Sequence, residues 1–169
     1  LRIFKKIKVK KLSGYKFLKL FLNKKILKNA KILLINPNII DQGANTRLLK
    51  QLKINNFINY LAPKYNLRNI KDTKLIQLIK KNRPDFIIIN LGGGIQEPLG
   101  IYIKKKINYK AGIICTGAAI AFMTKRQAPI NDIVDKLYMG WLIRNLYTPK
   151  ISTPRTFNSF RLIKYFFNY

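Results

Sequence analysis

Short apolar runs alternate with helical periods through the first two thirds of this 169-residue chain. Lys31-Ile32-Leu33-Leu34-Ile35 is stopped by Asn36-Pro37-Asn38, which predicts a buried strand and a turn. Phe57 to Leu61 is a second short run, closed by Pro63. Phe86-Ile87-Ile88-Ile89, after Arg83-Pro84-Asp85, is the clearest strand, and Gly112-Ile113-Ile114-Cys115 is the fourth. The expected strands are therefore 31–35, 57–61, 85–90 and 112–116. Between them lie helical periods. Residues 15–28 carry Phe17, Leu18, Phe21, Leu22 and Leu27 behind a capping Ser13-Gly14. Residues 43–53 set Leu48, Leu49 and Leu52 on one side. Asp72 caps a helix with Leu75, Ile76, Leu78 and Ile79 on its face. Pro98 suits the first turn of a helix with Leu99, Tyr102, Ile103 and Ile107 inward.

Strands alternating with helices of this length predict βαβ units and a parallel sheet, an α/β fold. Such sheets bind ligands at the carboxyl ends of their strands. Three loops fall there: Asn36 to Gly43, Leu91 to Pro98, and Thr116 to Phe122. From Pro129 the pattern changes. Ile130, Ile133, Val134, Leu137, Tyr138, Trp141, Leu142 and Leu146 follow one amphipathic helical period. A basic, aromatic tail follows Pro149 and Pro154, with Arg155, Phe157, Phe160, Arg161, Lys164, Phe166 and Tyr169. That mixture is expected of a helix in a membrane interface. The plainer reading packs the tail, with Trp141 and Leu142, against the domain. No window of about 18 apolar residues predicts a membrane-spanning helix, and the start of the chain lacks a signal-peptide pattern.

Charge and composition narrow the chemistry. Lys plus Arg number 34 and Asp plus Glu 6, a formal charge of +28. The chain holds 27 Ile, 26 Lys and 17 Asn, residues that share AT-rich codons, so part of the bias reads as genome composition. The functional readings of the charge are an anionic membrane, a phosphorylated substrate or nucleic acid. The absence of histidine and the single cysteine exclude an intrachain disulfide, a Cys/His zinc site and any His-containing triad. The carboxylates are Asp41, Asp72, Asp85, Glu97, Asp132 and Asp135. Asp41, at a strand end, is a weak candidate for a base.

Gly92-Gly93-Gly94-Ile95-Gln96-Glu97 lies between a strand and a helix. Glycines let backbone N–H groups approach a ligand, and the helix N-terminus beyond them favours an anion. The bland alternative is a tight turn, with Glu97 stabilising the helix start. The Gln96 amide can donate to a sugar hydroxyl or phosphate and accept in return. Thr116-Gly117-Ala118-Ala119 repeats the small-residue theme at the next strand end, where close helix–strand packing is the competing reading.

Four segments in order resemble the WecG/TagA/CpsF glycosyltransferase family: Leu91 to Pro98, Thr116 to Phe122, Ala128-Pro129, and Gly140-Trp141-Leu142 with Arg144 and Pro149. Arg83-Pro84-Asp85 and Leu12-Ser13-Gly14 also fit. The resemblance implies a Rossmann-like parallel sheet flanked by helices, with a basic amphipathic C-terminal appendage. Residues 1–128 would be a partial nucleotide-sugar-binding domain and 129–169 a membrane-docking appendage. The implied activity is inverting transfer of a hexosyl or N-acetylhexosaminyl group from a UDP-sugar to a polyprenyl-diphosphate-linked acceptor, in surface polysaccharide synthesis. The donor would be held by Gly92, Gly93, Gly94, Gln96, Glu97, Thr116, Gly117 and Ala118. Arg144, Arg155, Arg161 and Lys164 would face the acceptor diphosphate and the membrane. No cofactor and no metal are implied. The implied place is the cytoplasmic, inner face of the bacterial plasma membrane, peripherally bound, with a homo-oligomer allowed.

The chain also departs from the family pattern. Ala121 stands where an acid is usual, Gly140 where Glu precedes Trp, and Lys125-Arg126-Gln127-Ala128-Pro129 interrupts an Arg-Ala-Pro step. The family's Thr loop and Asp-Gly segment, whose Asp is the expected base, have no counterpart before Leu12. The chain therefore reads as the C-terminal two-thirds of a member, leaving its catalytic residue unassigned. An inactive remnant or membrane-associated partner is one alternative. A basic nucleic-acid module is another, disfavoured because no RNP, KH or helix-turn-helix pattern is present.

Overall fold

The computed structural model describes residues 12–160 except 68, 129 and 138, and omits the side chains at 151, 155 and 160. Four strands form one sheet: β1 Ile32–Asn36, β2 Phe57–Leu61, β3 Phe86–Ile89 and β4 Gly112–Cys115. Their order is β2-β1-β3-β4 and every pairing is parallel. Ile32 lies opposite both Phe57 and Phe86, and Phe86 opposite Gly112. A Cβ on Gly112 would sit 2.6 Å from Cδ1 of the Phe86 ring, so this edge strand pairs closely only with glycine there.

β1 and β3 are uninterrupted apolar runs because helices cover both faces of the sheet. Ile32, Leu34 and Ile88 point to one face, where Leu18 and Leu22 of α1 (Gly14–Leu22), Leu27 of α2 (Ile26–Asn29), and Leu49 of α3 (Ile39–Gln51) bury them. Ala119 and Ile120 of α6 (Ala119–Met123) complete that side. Leu33, Ile35, Ile87 and Ile89 point to the other face. They meet Leu75, Ile76 and Ile79 of α4 (Thr73–Asn82) and Leu99 and Ile103 of α5 (Gln96–Lys106). This three-layer α/β arrangement is Rossmann-like, as the alternating pattern predicts. Each fully buried Leu or Ile contributes about 1.5–3 kcal/mol of burial, so the central strands hold the layers together.

The helix starts follow from side-chain caps. Ser13 Oγ accepts from the Lys16 amide at 3.1 Å, and an Asp72 carboxylate oxygen accepts from the Leu75 amide at 2.9 Å. Asn38 Oδ1 accepts from the Asp41 amide at 2.8 Å, which starts α3 at Ile39 rather than at 43. The expected loop from Asn36 to Gly43 therefore shrinks to a short turn, and Asp41 sits in the first turn of a helix.

Two other expectations are corrected. The helix over 15–28 is split, because Asn23 closes α1 by donating its amide side chain to the Lys19 carbonyl at 2.8 Å. The long helical period after Pro129 is also broken. Asn131 Oδ1 caps α7 (Asp132–Lys136), whose end is closed by the Met139 amide on the Val134 carbonyl. The chain then restarts as α8 (Gly140–Tyr147). Gly140 has low helix propensity, which makes this the point where continuity is least favoured. Consequently Ile133, Leu137, Trp141 and Leu146 remain exposed, Trp141 at 54%, while Leu142 is half-buried. The segment after Pro149 is helical, α9 (Pro149–Phe160), with Pro149 in the first turn and Pro154 inside.

Candidate functional site

The strand order creates the site. The chain leaves β1 for β2 on one side, then returns to place β3 on the other side of β1. The carboxyl ends of these two strands thus diverge at a topological switch point, where open α/β sheets bind ligands. A cavity of about 610 Å³ lies there. Pro37, Asn38 and Asp41 line one wall, and Leu91, Gly92 and Gly93 another. Gly117 and Ala118 come from the third loop, which is helical from Ala119 onward and adds Phe122 from α6, and Arg144, Thr148 and Ser152 come from the C-terminal helices and their junction. A second cleft of about 450 Å³ adjoins it and shares Ala118, Phe122 and Arg144; Tyr15, Thr116 and Trp141 line its other side.

The two glycine loops are tied together by Gln96. Its side chain is buried, at 8% exposure. Its Oε1 accepts from the Gly117 amide at 2.7 Å, and its Nε2 donates to Glu97 at 2.8 Å. Glu97 also accepts from the Gly94 amide at 3.0 Å. Gly94 has φ of +87°, which glycine adopts without the penalty a Cβ would bring. Donation from Gln96 and Gly94 holds the Glu97 carboxyl below its usual range. The sign follows: this clamp is fully present above the ordinary Glu range and weakens as pH falls through the lowered pKa.

Of the residues expected to hold a donor, Gly92, Gly93, Gly117 and Ala118 line the cavity, as does Arg144. Gly94, Gln96, Glu97 and Thr116 stand behind it; Thr116 Oγ1 lies 2.7 Å from Asn90 Oδ1, to which it donates. Arg144 is exposed, donates from Nε to the Gly140 carbonyl at 3.2 Å, and sets its guanidinium 5.3 Å from the centre of the Phe122 ring, a cation–π distance. Arg155 lies on α9 with its side chain outside the description, and Arg161 and Lys164 fall outside the described residues. Asp41 pairs with Arg126 at 3.1 Å and accepts from Asn38 at 2.8 Å, so both of its oxygens are engaged. Among the described residues no group of three or more His, Cys, Asp or Glu comes together as a metal site.

Sequence reasoning missed the floor of the cavity. Asn36 ends β1 and is fully buried. Its Oδ1 accepts from Asn45 at 2.8 Å and from Asn90 at 3.3 Å. Its Nδ2 donates to Asn59 at 3.0 Å, and Asn59 donates on to Thr46 at 3.0 Å. The available signal was the position of Asn36 and Asn90, each directly after an apolar strand run, in a chain where abundant asparagine hides it.

The glycosyl transferase WecG/TagA/CpsF family profile matches residues 1–168. The chain belongs to this family. Membership makes it a glycosyltransferase of cell-surface polysaccharide synthesis, a family whose members take a sugar-nucleotide donor and a lipid-linked acceptor. Comparisons with curated proteins and with solved structures give no match. Among the described residues no helix is long and apolar enough to cross a membrane.

Because Gln96 bridges the loops, its loss is expected to act on them indirectly. Gln96→Ala leaves the Gly117 amide without its acceptor, a cost of about 1 kcal/mol in loop order. If the donor is the UDP-sugar proposed below, UDP affinity should fall about fivefold in calorimetric titration, with far-ultraviolet circular dichroism unchanged. Unaltered affinity would mean that the loops are held without this bridge.

Proposed function

We propose that the cavity at the switch point holds a UDP-sugar and that the chain takes part in transferring its sugar, with inversion, to a polyprenyl-diphosphate-linked acceptor. The observation that carries this reading is the convergence of two glycine loops and Arg144 on one cavity in a member of a glycosyltransferase family. The amides of Gly92 and Gly93 make no hydrogen bond to any described residue, so they are available to oxygen atoms of a diphosphate. Arg144 stands at the wall shared with the second cleft, where an acceptor diphosphate would approach. Departure of UDP leaves negative charge on its terminal phosphate, and these donors are suited to stabilise it. The reading assigns no general base among the described residues, since Asp41 is engaged by Arg126 and Asn38.

The test is calorimetric titration of the chain with UDP, comparing Gly93→Val. A Cβ at Gly93 meets nothing within 4 Å, so the fold tolerates the change while the valine covers the loop amide. The expected loss of affinity is about tenfold, or 1.4 kcal/mol. Equal affinity for UDP in both proteins would remove this loop from the donor site.

The segment 129–169 is read in the same proposal as an appendage working at an anionic membrane, with the rest of the chain as the donor-binding part. Trp141, Leu146, Tyr147 and Phe157 are exposed on it, in a chain rich in cations. Removing everything after Thr148 takes away Lys150, Arg155, Arg161 and Lys164. At about 1 kcal/mol per cation near an anionic leaflet, reduced by screening to about 2 kcal/mol in all, binding should weaken about thirtyfold. Co-sedimentation with phosphatidylserine vesicles measures it, with neutral vesicles and high salt as controls because the remaining chain is also basic. Equal sedimentation of both chains across these conditions would reduce the tail to a packing element.

A further inference from the structure

The floor of the cavity is built from carboxamides, and its hydrogen bonds fix which atom each presents. Asn36 donates its Nδ2 to the Leu34 carbonyl and to Asn59, so its Oδ1 is the atom that meets Asn45 and Asn90. Asn45 must therefore turn its Nδ2 toward Asn36, which leaves its Oδ1 as the remaining acceptor. Asn45 is 1% exposed and lines the cavity, yet this oxygen accepts from no described residue. Among the described residues no buried side-chain oxygen or nitrogen lacks a partner, so this oxygen is open to the cavity, where a donor that enters can reach it. The Oδ1 of Asn90, by contrast, is already occupied by Thr116.

An open acceptor selects its ligand by chemistry. Ionised phosphate offers only acceptors, so it gains nothing from Asn45 Oδ1. A hydroxyl fits, because it donates to the carbonyl and accepts in return from the remaining amide hydrogen of Asn45 or Asn90. Another part of the lining, with the amides of Gly92 and Gly93 and with Arg144, has the reverse character. The cavity is thus divided into an anion side and a hydroxyl side.

We infer that Asn45, supported by Asn36 and Asn90, is the specificity-determining residue of the donor site and accepts a hydrogen bond from a ring hydroxyl of the donor. This rests on the donor reading above. The hydroxyl belongs either to the ribose or to the transferred sugar, and the two are separable by ligand. The probes are UDP, 2′-deoxy-UDP, UDP-glucose and UDP-N-acetylmannosamine, titrated into the full chain, into Asn45→Ala and into Asn59→Ala. Asn59 belongs to the same network but does not line the cavity, so its variant reports general loosening.

The expected result is a loss of about tenfold in Asn45→Ala, with a smaller change in Asn59→Ala. If the ribose is read, UDP loses as much as the UDP-sugars, and 2′-deoxy-UDP binds the unsubstituted chain about tenfold more weakly than UDP does. If the sugar is read, UDP is unaffected and only the UDP-sugars lose. Equal binding of every probe by Asn45→Ala and the unsubstituted chain overturns the inference while leaving the donor reading intact. Equal losses in Asn45→Ala and Asn59→Ala also overturn it, since the floor is then only structural. Failure of the unsubstituted chain to bind any of the four probes overturns the donor reading and this inference with it. Should Asn45→Ala fail to fold, the ligand series on the unsubstituted chain decides. Binding that shows neither a preference for UDP over 2′-deoxy-UDP nor a preference for UDP-glucose over its deoxy-sugar analogues overturns the inference.

Discussion

Asn36→Ala is expected to cost about 4 kcal/mol of folding stability, far more than a polar-to-alanine change at a surface strand end. The side chain is fully buried and joins three other asparagines. Its removal strands the amide hydrogens of Asn45 and Asn90 and the carbonyl of Asn59, at about 1 kcal/mol or more each, and leaves a space the size of a carboxamide. Asn45 and Asn90 border the cavity, so water entering from that side restores part of what is lost. Urea unfolding measures the result. With a slope of about 2 kcal/mol per molar, the midpoint should fall by about 2 M at an unchanged slope. A shift below about 0.5 M would show that solvent replaces the network fully and that the carboxamide floor adds little order to the site.

That network marks the limit of what the residues reveal in order. The four strands were legible because Ile32 to Ile35 and Phe86 to Ile89 are too short for helices and carry no polar interruption. The same signal gave the parallel sheet, since runs buried on both faces need helices between them. The glycine loops were legible as candidates because their position between a strand and a helix has a mechanical meaning. Their mutual attachment was not, since nothing in Gln96 or Gly117 alone says that residues 21 positions apart share a 2.7 Å hydrogen bond. The sequence-level reading gave the Gln96 amide to a ligand, whereas the folded chain spends it on the Gly117 amide and Glu97.

The C-terminal quarter departs from its sequence pattern for a different reason. Apolar residues from Ile130 to Leu146 keep a helical period, but periodicity does not register where a helix stops. Asn131 caps one short helix, and closure at Met139 followed by Gly140 starts another. The result changes function as well as geometry. A single long helix would bury its apolar stripe on the domain, whereas the broken one brings Arg144 to the cavity wall and leaves Trp141 exposed beside it.

On the opposite side of the sheet, Asp72→Ala is expected to cost about 3 kcal/mol. Asp72 is nearly buried and serves three donors. The hydroxyls of Tyr60 and Tyr65 donate to its carboxylate at 2.8 and 2.7 Å, and the Leu75 amide caps α4 on it at 2.9 Å. The Asp72 amide in turn donates to the Tyr102 hydroxyl at 3.3 Å, tying this corner to α5, the helix that begins at the Gln96 loop. Loss of the cap alone costs about 1 kcal/mol, and hydrogen bonds to a charged acceptor about 1.5–3 kcal/mol each before water compensates the half-buried tyrosines. Asp72→Asn keeps the cap and one acceptor, so it should lose only about 1 kcal/mol. The same contacts set an alkaline limit. Burial first, and then donation to Asp72, push the Tyr60 and Tyr65 hydroxyls well above the ordinary tyrosine value of 10.0. In the unfolded chain these hydroxyls ionise near that ordinary value. Stability is therefore whole below about pH 10 and falls as pH rises beyond it, because only the unfolded state then releases protons. Urea midpoints measured between pH 8 and 11 should decline above pH 10, and the decline should be shallower in Tyr60→Phe/Tyr65→Phe. A decline of the same steepness in the double variant would assign alkaline unfolding to the other tyrosines and to lysine neutralisation, and would leave the Asp72 cluster a purely geometric tie.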